Sequence, residues 1–186
     1  MIPALPDSKV SPNRYLRRIY FAAANPGRSL GLATDFNVLG DRLIWLLRHG
    51  DAEAGEGKPD GDRELTEKGE RQSVAAGQAL KVLGVKLDVC LTSPKVRAKR
   101  TAELASEVLG VAVEEDDRLA GGDFDPVAVA AGRGDVMLVG HEPDFSQAVA
   151  LVTGSRVKMK KGGIAAIDDH ILHVLLRPKD LKQIVG

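Results

Sequence analysis

A single cysteine, Cys90, occurs in 186 residues, so no intrachain disulfide can form and the chain suits a reducing compartment such as the cytoplasm. It lies in the apolar run Leu87-Asp88-Val89-Cys90-Leu91 and reads as a buried structural thiol rather than a nucleophile. No apolar run approaches the roughly 20 residues needed to span a bilayer. The expectation is a soluble protein with no membrane partner. Neither sign of charge dominates: Lys+Arg and Asp+Glu both number 26. No global field therefore favours nucleic acid, and any anion site must be a local concentration of charge. The glycines at 55, 57 and 61 match neither a phosphate-binding P-loop nor a dinucleotide fingerprint.

The length allows one domain with a sizeable core and is short for two. Residues 1–40 read as an extension. Pro3, Pro6, Pro12 and Pro26 punctuate them, with one helix possible over Asn13–Ala24 carrying Arg14, Arg17 and Arg18. An arginine-rich, acid-poor start is also the mark of a targeting peptide, but a loose tail or an over-extended translation start is the preferred expectation. The domain proper is expected over 41–186.

From Arg42 onward, apolar runs and amphipathic stretches alternate. Strand Leu43–Leu47 leads into a polar loop over Asp51–Glu64, and Thr66 reads as the N-cap of a helix to about Leu83, closed by Gly84. Strand Leu87–Thr92 comes next. Ser93-Pro94 reads as an N-cap and first-turn proline for a helix whose inner face is Ala98, Thr101, Ala102, Ala105 and Leu109. A short strand at Val111–Val113, a Gly/Asp loop at 116–125 and a short helix near Pro126–Ala131 follow. Strand Asp135–Val139 precedes a helix with Phe145, Val149 and Val152 on one side, and Ile164–Ile167 with Leu172–Leu176 form a terminal hairpin. This alternation predicts an α/β fold, a three-layer α/β/α sandwich whose mostly parallel sheet has an antiparallel edge.

Two of the four histidines sit just past apolar strands: His49 in Arg48-His49-Gly50 and His141 in Val139-Gly140-His141. Strand C-terminal ends are where open α/β sheets place their sites. Arg97 falls in the first turn of a helix, where unpaired N–H groups attract anions, and its planar fork can hold two phosphate oxygens. Lys95, Lys99 and Arg100 read as a solvated basic face.

Together, Leu47-Arg48-His49-Gly50, Leu65-Thr66-Glu67-Lys68-Gly69, Ser93-Pro94-x-x-Arg97-Ala98-x-x-Thr101-Ala102 and Val139-Gly140-His141 resemble the histidine phosphatase superfamily. Its branches include phosphoglycerate mutases, acid phosphatases and SixA-type phosphohistidine phosphatases. The resemblance runs from about Leu43 to Leu176 and implies a phosphoglycerate mutase-like fold. It makes His49 a nucleophile that is transiently phosphorylated. Arg48 and Arg97 would grip the phosphoryl oxygens, and His141 would complete a cationic pocket. No cofactor is implied, because protein groups supply the charge that a metal otherwise would.

What is missing separates the branches. Where the mutase branch has a glutamate after an Arg-Leu pair, this chain reads Arg118-Leu119-Ala120-Gly121-Gly122-Asp123. An alkoxide leaving group needs a proton donor, whereas an imidazole leaving group matches the basicity of the attacking one. Asp51 is a possible acid and Glu53 a fallback that more naturally faces solvent. The expected function is a SixA-type phosphatase acting on phosphohistidine of a protein such as a phosphotransfer domain or carrier, in a signalling pathway. The alternatives are a phosphomonoesterase acting on a small phosphorylated metabolite, and a degenerate phosphate-binding regulatory module.

Three further features read as incidental. Asp168-Asp169-His170 with His173 invites a metal, but residues 170 and 173 would face opposite ways in one strand and no cysteine assists, so no metal site is expected. Arg156 and Lys158-Met159-Lys160-Lys161 read as a solvated charge run that could also draw an acidic partner. Gly121 and Gly122 read as a turn.

Overall fold

The computed structural model describes residues 42–168 and 170–186; the expectations for residues 1–40 lie outside this range. The elements are β1 Ile44–Arg48, α1 Glu67–Val82, β2 Val89–Thr92, α2 Val96–Leu109, β3 Val113–Glu115, α3 Pro126–Ala130, β4 Val136–Gly140, α4 Asp144–Thr153, β5 Ile164–Ile167, β6 Leu172–Leu176 and α5 Pro178–Val185. Single 3-10 turns occur at Asp60–Asp62 and Asp117–Leu119. Among these residues no helix is long and apolar enough to cross a membrane.

The sheet order is β3-β2-β4-β1-β5-β6. Strands β3, β2, β4 and β1 run parallel, while β5 and β6 are antiparallel additions beside β1. The expected mixed sheet, its antiparallel edge and the terminal hairpin are all present.

Side-chain alternation splits the core into two layers. Leu46, Leu91, Leu138, Ala165 and Ile167 pack in one cluster with Val129 of α3 and Phe145 and Val149 of α4. The alternate residues Trp45, Leu47, Cys90, Met137, Val139 and Ile164 are equally buried and point to the other face. There α2 packs on β2 and β4, and α1 packs on α2 and α5. Each fully buried Leu, Val or Phe stabilises the fold by roughly 1.5–3 kcal/mol. Burial pushes the Cys90 thiol up to about 12, so it is inert at neutral pH.

Three local expectations need correction. Ser93-Pro94 does not open α2: the N-cap is Lys95 and the first helical residue Val96. The Ser93 hydroxyl is engaged by His141 and by the Lys95 N–H, and the proline stands before the cap rather than in the first turn. Strand β3 begins two residues later than expected, because Val111 still donates to Ser106 O of the helix that Gly110 closes in the left-handed region. Strand β2 starts at Val89, since the Asp88 N–H bonds Asp135 O and its carboxylate accepts from Asp135 N.

Candidate active site

Parallel register brings the two histidines together. Strands β1 and β4 pair Arg48 with Gly140. Neighbouring strands lie about 4.8 Å apart, so the next residue of each, His49 and His141, must be side by side. Their ring centroids are 5.1 Å apart and tilted by 54°. Strand β2 pairs Thr92 with Val139, which sets Ser93 beside His141, and the turn into α2 then delivers Arg97.

The His49 turn is fixed by glycine contacts. A Cβ on Gly50 would lie 2.5 Å from Gly69 O, and one on Gly69 would lie 2.0 Å from Asp51 O. The first turn of α1 therefore sits against the backbone of this turn, which explains why Arg48-His49-Gly50 and Thr66-Glu67-Lys68-Gly69 occur together. Thr101 adds a tie from α2: its hydroxyl accepts from Gly50 N at 3.0 Å and donates to Arg97 O at 2.7 Å.

His49 Nδ1 lies 2.7 Å from Gly50 O. A carbonyl only accepts, so Nδ1 carries the proton and Nε2 presents its lone pair. Arg97 Nε–H points at that nitrogen from 3.4 Å. Burial, aided by Arg97, Arg48 and Lys161 and opposed by the Gly50 carbonyl, pulls the His49 pKa down to about 4. The ring is therefore neutral at physiological pH. His141 is pulled down to about 3, by burial first and then by His49, Arg97 and Lys95. It is thus a neutral hydrogen-bond donor in a pocket whose positive charge comes from the arginines and lysines.

Ser93 sets the His141 tautomer. Its Oγ accepts from Lys95 N at 3.3 Å and lies 2.8 Å from His141 Nε2. All three groups are used when Ser93 donates to Nε2, which leaves the His141 proton on Nδ1. That Nδ1 and Arg48 Nε are both buried and have no hydrogen-bond partner among the described residues.

A cavity of about 410 Å³ is lined by Arg48, His49, Arg97 and His141 together. The four residues singled out from the sequence therefore share one wall. Arg63, Lys95 and Lys161 add charge to it, against the carboxylates of Asp60, Glu142 and Asp144. Lys95 thus belongs to the site, in correction of its assignment to a solvated face. Lys99 and Arg100 do face outward, pairing with Glu115 and with Glu70 and Glu103. Lys161 leaves the supposed charge run in the same way, and Met159 beside it is buried core.

Residues missed in the sequence hold the arginines, directly or at one remove. Asp60, on its 3-10 turn, takes Arg97 Nη2 on its carboxylate at 3.0 Å and Arg97 Nη1 on its carbonyl. Asp60 thus grips the end-on edge of the guanidinium and leaves the Nε–H edge aimed at His49. Lys95 and Arg63 bond the same carboxylate, and Arg97 first, then Lys95 and Arg63, hold Asp60 far below the usual carboxylate range. Arg48 Nη1 donates to Met159 O at 2.7 Å. Met159 N in turn donates to Glu142 Oε1 at 3.0 Å, and that oxygen also accepts from Ser146 at 2.6 Å.

The acid candidates fall elsewhere. Asp51 is ion-paired to Lys161 at 2.9 Å, which holds its carboxylate charged below the ordinary range, and it is not part of the cavity lining. Glu53 binds Lys58 and Glu64 N at the surface. Gly121 and Gly122, with φ of +143° and +97°, form the wall where the resemblance placed a glutamate. They make a turn, as expected, but one that borders the site. Asp168 accepts from His170 N and pairs with His173, and strand β6 begins only at Leu172, so residues 170 and 173 do not share a strand.

Adjoining histidines and arginines at the C-terminal ends of parallel strands define a class of phosphoryl-handling enzymes. Comparison with known proteins gives the family. The histidine phosphatase superfamily (branch 1) matches residues 44–141. An uncharacterized protein of Picosynechococcus sp. is 36% identical over 137 residues, 67% of this chain and 83% of that protein. The 2,3-bisphosphoglycerate-dependent phosphoglycerate mutase of Methylobacterium sp. is 43% identical over 77 residues, 38% of this chain, and the match spans only 35% of the mutase. Among solved structures, the protein histidine phosphatase SixA complexed with tungstate superimposes with a TM-score of 0.65 at 25% identity, covering 75% of this chain and 99% of SixA. A SixA phosphohistidine phosphatase candidate from Nakamurella multipartitia gives 0.60 at 27% identity, covering 77% and 91%. The chain belongs to the histidine phosphatase superfamily and is an enzyme of phosphatase type with SixA-like architecture.

Proposed function

We propose that the protein removes phosphate from phosphohistidine through a phospho-His49 intermediate. The observation that carries this reading is the fixed His49 tautomer. Its Nε2 lone pair is unprotonated at neutral pH and faces the free edge of Arg97 inside a cavity with more cations than carboxylates.

In the first step His49 Nε2 attacks phosphorus, a P–N bond forms, and the P–N bond to the substrate imidazole breaks opposite to it. Arg48, Arg97 and the Nδ1–H of His141 stabilise the charge spread over the equatorial oxygens. The buried Arg48 Nε and His141 Nδ1 would gain phosphoryl oxygens as acceptors. In the second step water attacks phosphorus, the phospho-His49 bond breaks and phosphate leaves, which returns His49 to its starting form. The substrate class follows from leaving-group chemistry. Asp51 is held by Lys161, and Gly121 and Gly122 supply no side-chain acid at the position where the resemblance has a glutamate, which suits a leaving imidazole better than an alkoxide. A phosphorylated protein is the proposed substrate, with signal transduction in the cytoplasm as its setting.

One observation favours a second reading. Asp144 lines the cavity and its side chain forms no ion pair or hydrogen bond among the described residues, which makes it the carboxyl placed to serve an ester leaving group in a small-molecule phosphomonoesterase. Measuring kcat/KM on a phosphohistidine protein and on sugar phosphates separates the two. Preference for the phosphoramidate supports the first reading. Preference for esters that is lost in Asp144→Asn establishes the second.

A further inference from the structure

Beside the catalytic cavity lies a second depression of about 430 Å³ whose lining, among the described residues, contains no carboxylate: Lys68, Arg71, Gln72, Pro178, Lys179 and Lys182. Its four cations are exposed and come as two i, i+3 pairs, one on α1 and one on α5, each pair sharing a helix face. Leu181 is fully buried and fixes α5, so the two pairs face one groove by construction. Among the described residues, Lys68, Lys179 and Lys182 form no ion pair. Arg71 has only a long, exposed contact with Glu67 at 3.4 Å, of a kind that contributes little. The nearby acids are turned elsewhere, Glu70 to Arg100 and Asp180 to Arg177. Like charges gathered with so few counter-charges oppose folding, in a chain with as many acids as bases.

One layer of side chains links this groove to the catalytic cavity. Gln72 Oε1 accepts from Asp51 N at 2.8 Å, and the Asp51 carboxylate pairs with Lys161 of the cavity wall. A chain bound in the groove thus lies one layer of side chains from the cavity that contains His49.

We propose that this groove docks an acidic segment of the protein substrate while its phosphohistidine occupies the cavity, an inference that rests on the phosphohistidine reading above. The occupant is argued by charge complementarity. The chain's own residues 1–40 do not fit, as they hold Lys9, Arg14, Arg17, Arg18 and Arg28 against Asp7 and Asp35. Among the described residues no aromatic side chain lines the groove to stack bases.

The test is the Lys179→Glu/Lys182→Glu variant of the full chain, compared with wild type by thermal melting and by kcat/KM. The substrates are a chemically phosphorylated histidine protein of net negative charge and free phosphohistidine. The variant is expected to lose about tenfold on the protein, the scale of two or three exposed charge contacts. It should stay within about twofold on the free amino acid, and the salt dependence of the protein reaction should flatten. Polyglutamate should inhibit the wild-type reaction on the protein and leave the variant unaffected. Equal losses on both substrates, no loss on the protein, or binding of duplex DNA in place of polyglutamate would overturn the proposal; Lys68→Glu, on the opposite wall, repeats the test if the double variant melts early. If wild type hydrolyses esters but neither phosphohistidine substrate, the reading of the catalytic site fails. Polyglutamate binding to wild type, lost in the variant, then still reports a basic docking groove on its own.

Discussion

Gly69→Ala is expected to reverse the usual sign of a glycine-to-alanine change in a helix. Gly69 lies in the first turn of α1, where alanine is ordinarily better by about 1 kcal/mol. Here the added Cβ would stand 2.0 Å from Asp51 O and 2.9 Å from its C and N. Carbon and oxygen separate to about 3.3 Å even in close C–H···O contacts, so helix and turn must part by roughly 1.3 Å. Overpacking of this kind costs about 1–3 kcal/mol, which outweighs the propensity gain or at least cancels it. The displacement also moves the turn that carries His49, and a misplacement of about 1 Å at a reacting group costs on the order of a hundredfold in rate. The variant should therefore melt at or below wild type and lose about a hundredfold in kcat/KM on any accepted phospho-substrate. A variant that melts several degrees higher with wild-type kcat/KM would refute the proposed contact between α1 and the catalytic turn.

Three further outcomes follow from the site. Asp60→Ala should lower kcat/KM about tenfold by freeing the end-on edge of Arg97, while Asp60→Asn, which keeps an acceptor, should recover most of it; equal losses in both variants would show that Asp60 does not aim the arginine. Ser93→Ala should lower kcat about tenfold with little change in KM, because the His141 tautomer is no longer fixed, and Ser93→Thr should restore it. Stability should depend on pH through His49, whose folded pKa of about 4 lies below the ordinary 6.5. The unfolded chain takes up the proton first, so this contribution is complete above about pH 6.5 and is lost as pH falls through 4, on the order of a few kcal/mol. Urea melts at pH 7 and pH 4.5 should show a smaller loss for His49→Asn than for wild type, and an identical loss would contradict the depressed value.

How much was legible from the sequence depended on how local each signal was. Apolar runs ending at Arg48 and Gly140 located both histidines, because strand pairing is regular and neighbouring parallel strands share their ends. Arg97 was legible for the same reason, standing one helical turn beyond a strand. Asp60 was not, since its reach to Arg97 depends on the path of the polar loop over 51–64, which no periodicity constrains. Lys95 and Lys161 looked like surface charge because their partners, Asp60 and Asp51, are 35 and 110 residues away. Ser93 was noticed for the wrong role: Ser-Pro before a helix is a capping signal, and only the position of His141 shows where the hydroxyl is used. Gly121-Gly122 carried a clue as well, since two glycines in place of an acid leave bare backbone where a side chain would have entered the cavity.

The central claim is that His49 becomes phosphorylated during turnover. Rapid acid-free quench of the enzyme with a ³²P-labelled phosphohistidine protein, followed by peptide mapping, tests it most directly. Label should appear on the peptide containing His49, be stable to alkali and labile to acid, and be absent in His49→Ala together with turnover. Turnover by His49→Ala at the wild-type rate, or label on a different residue, would contradict the account.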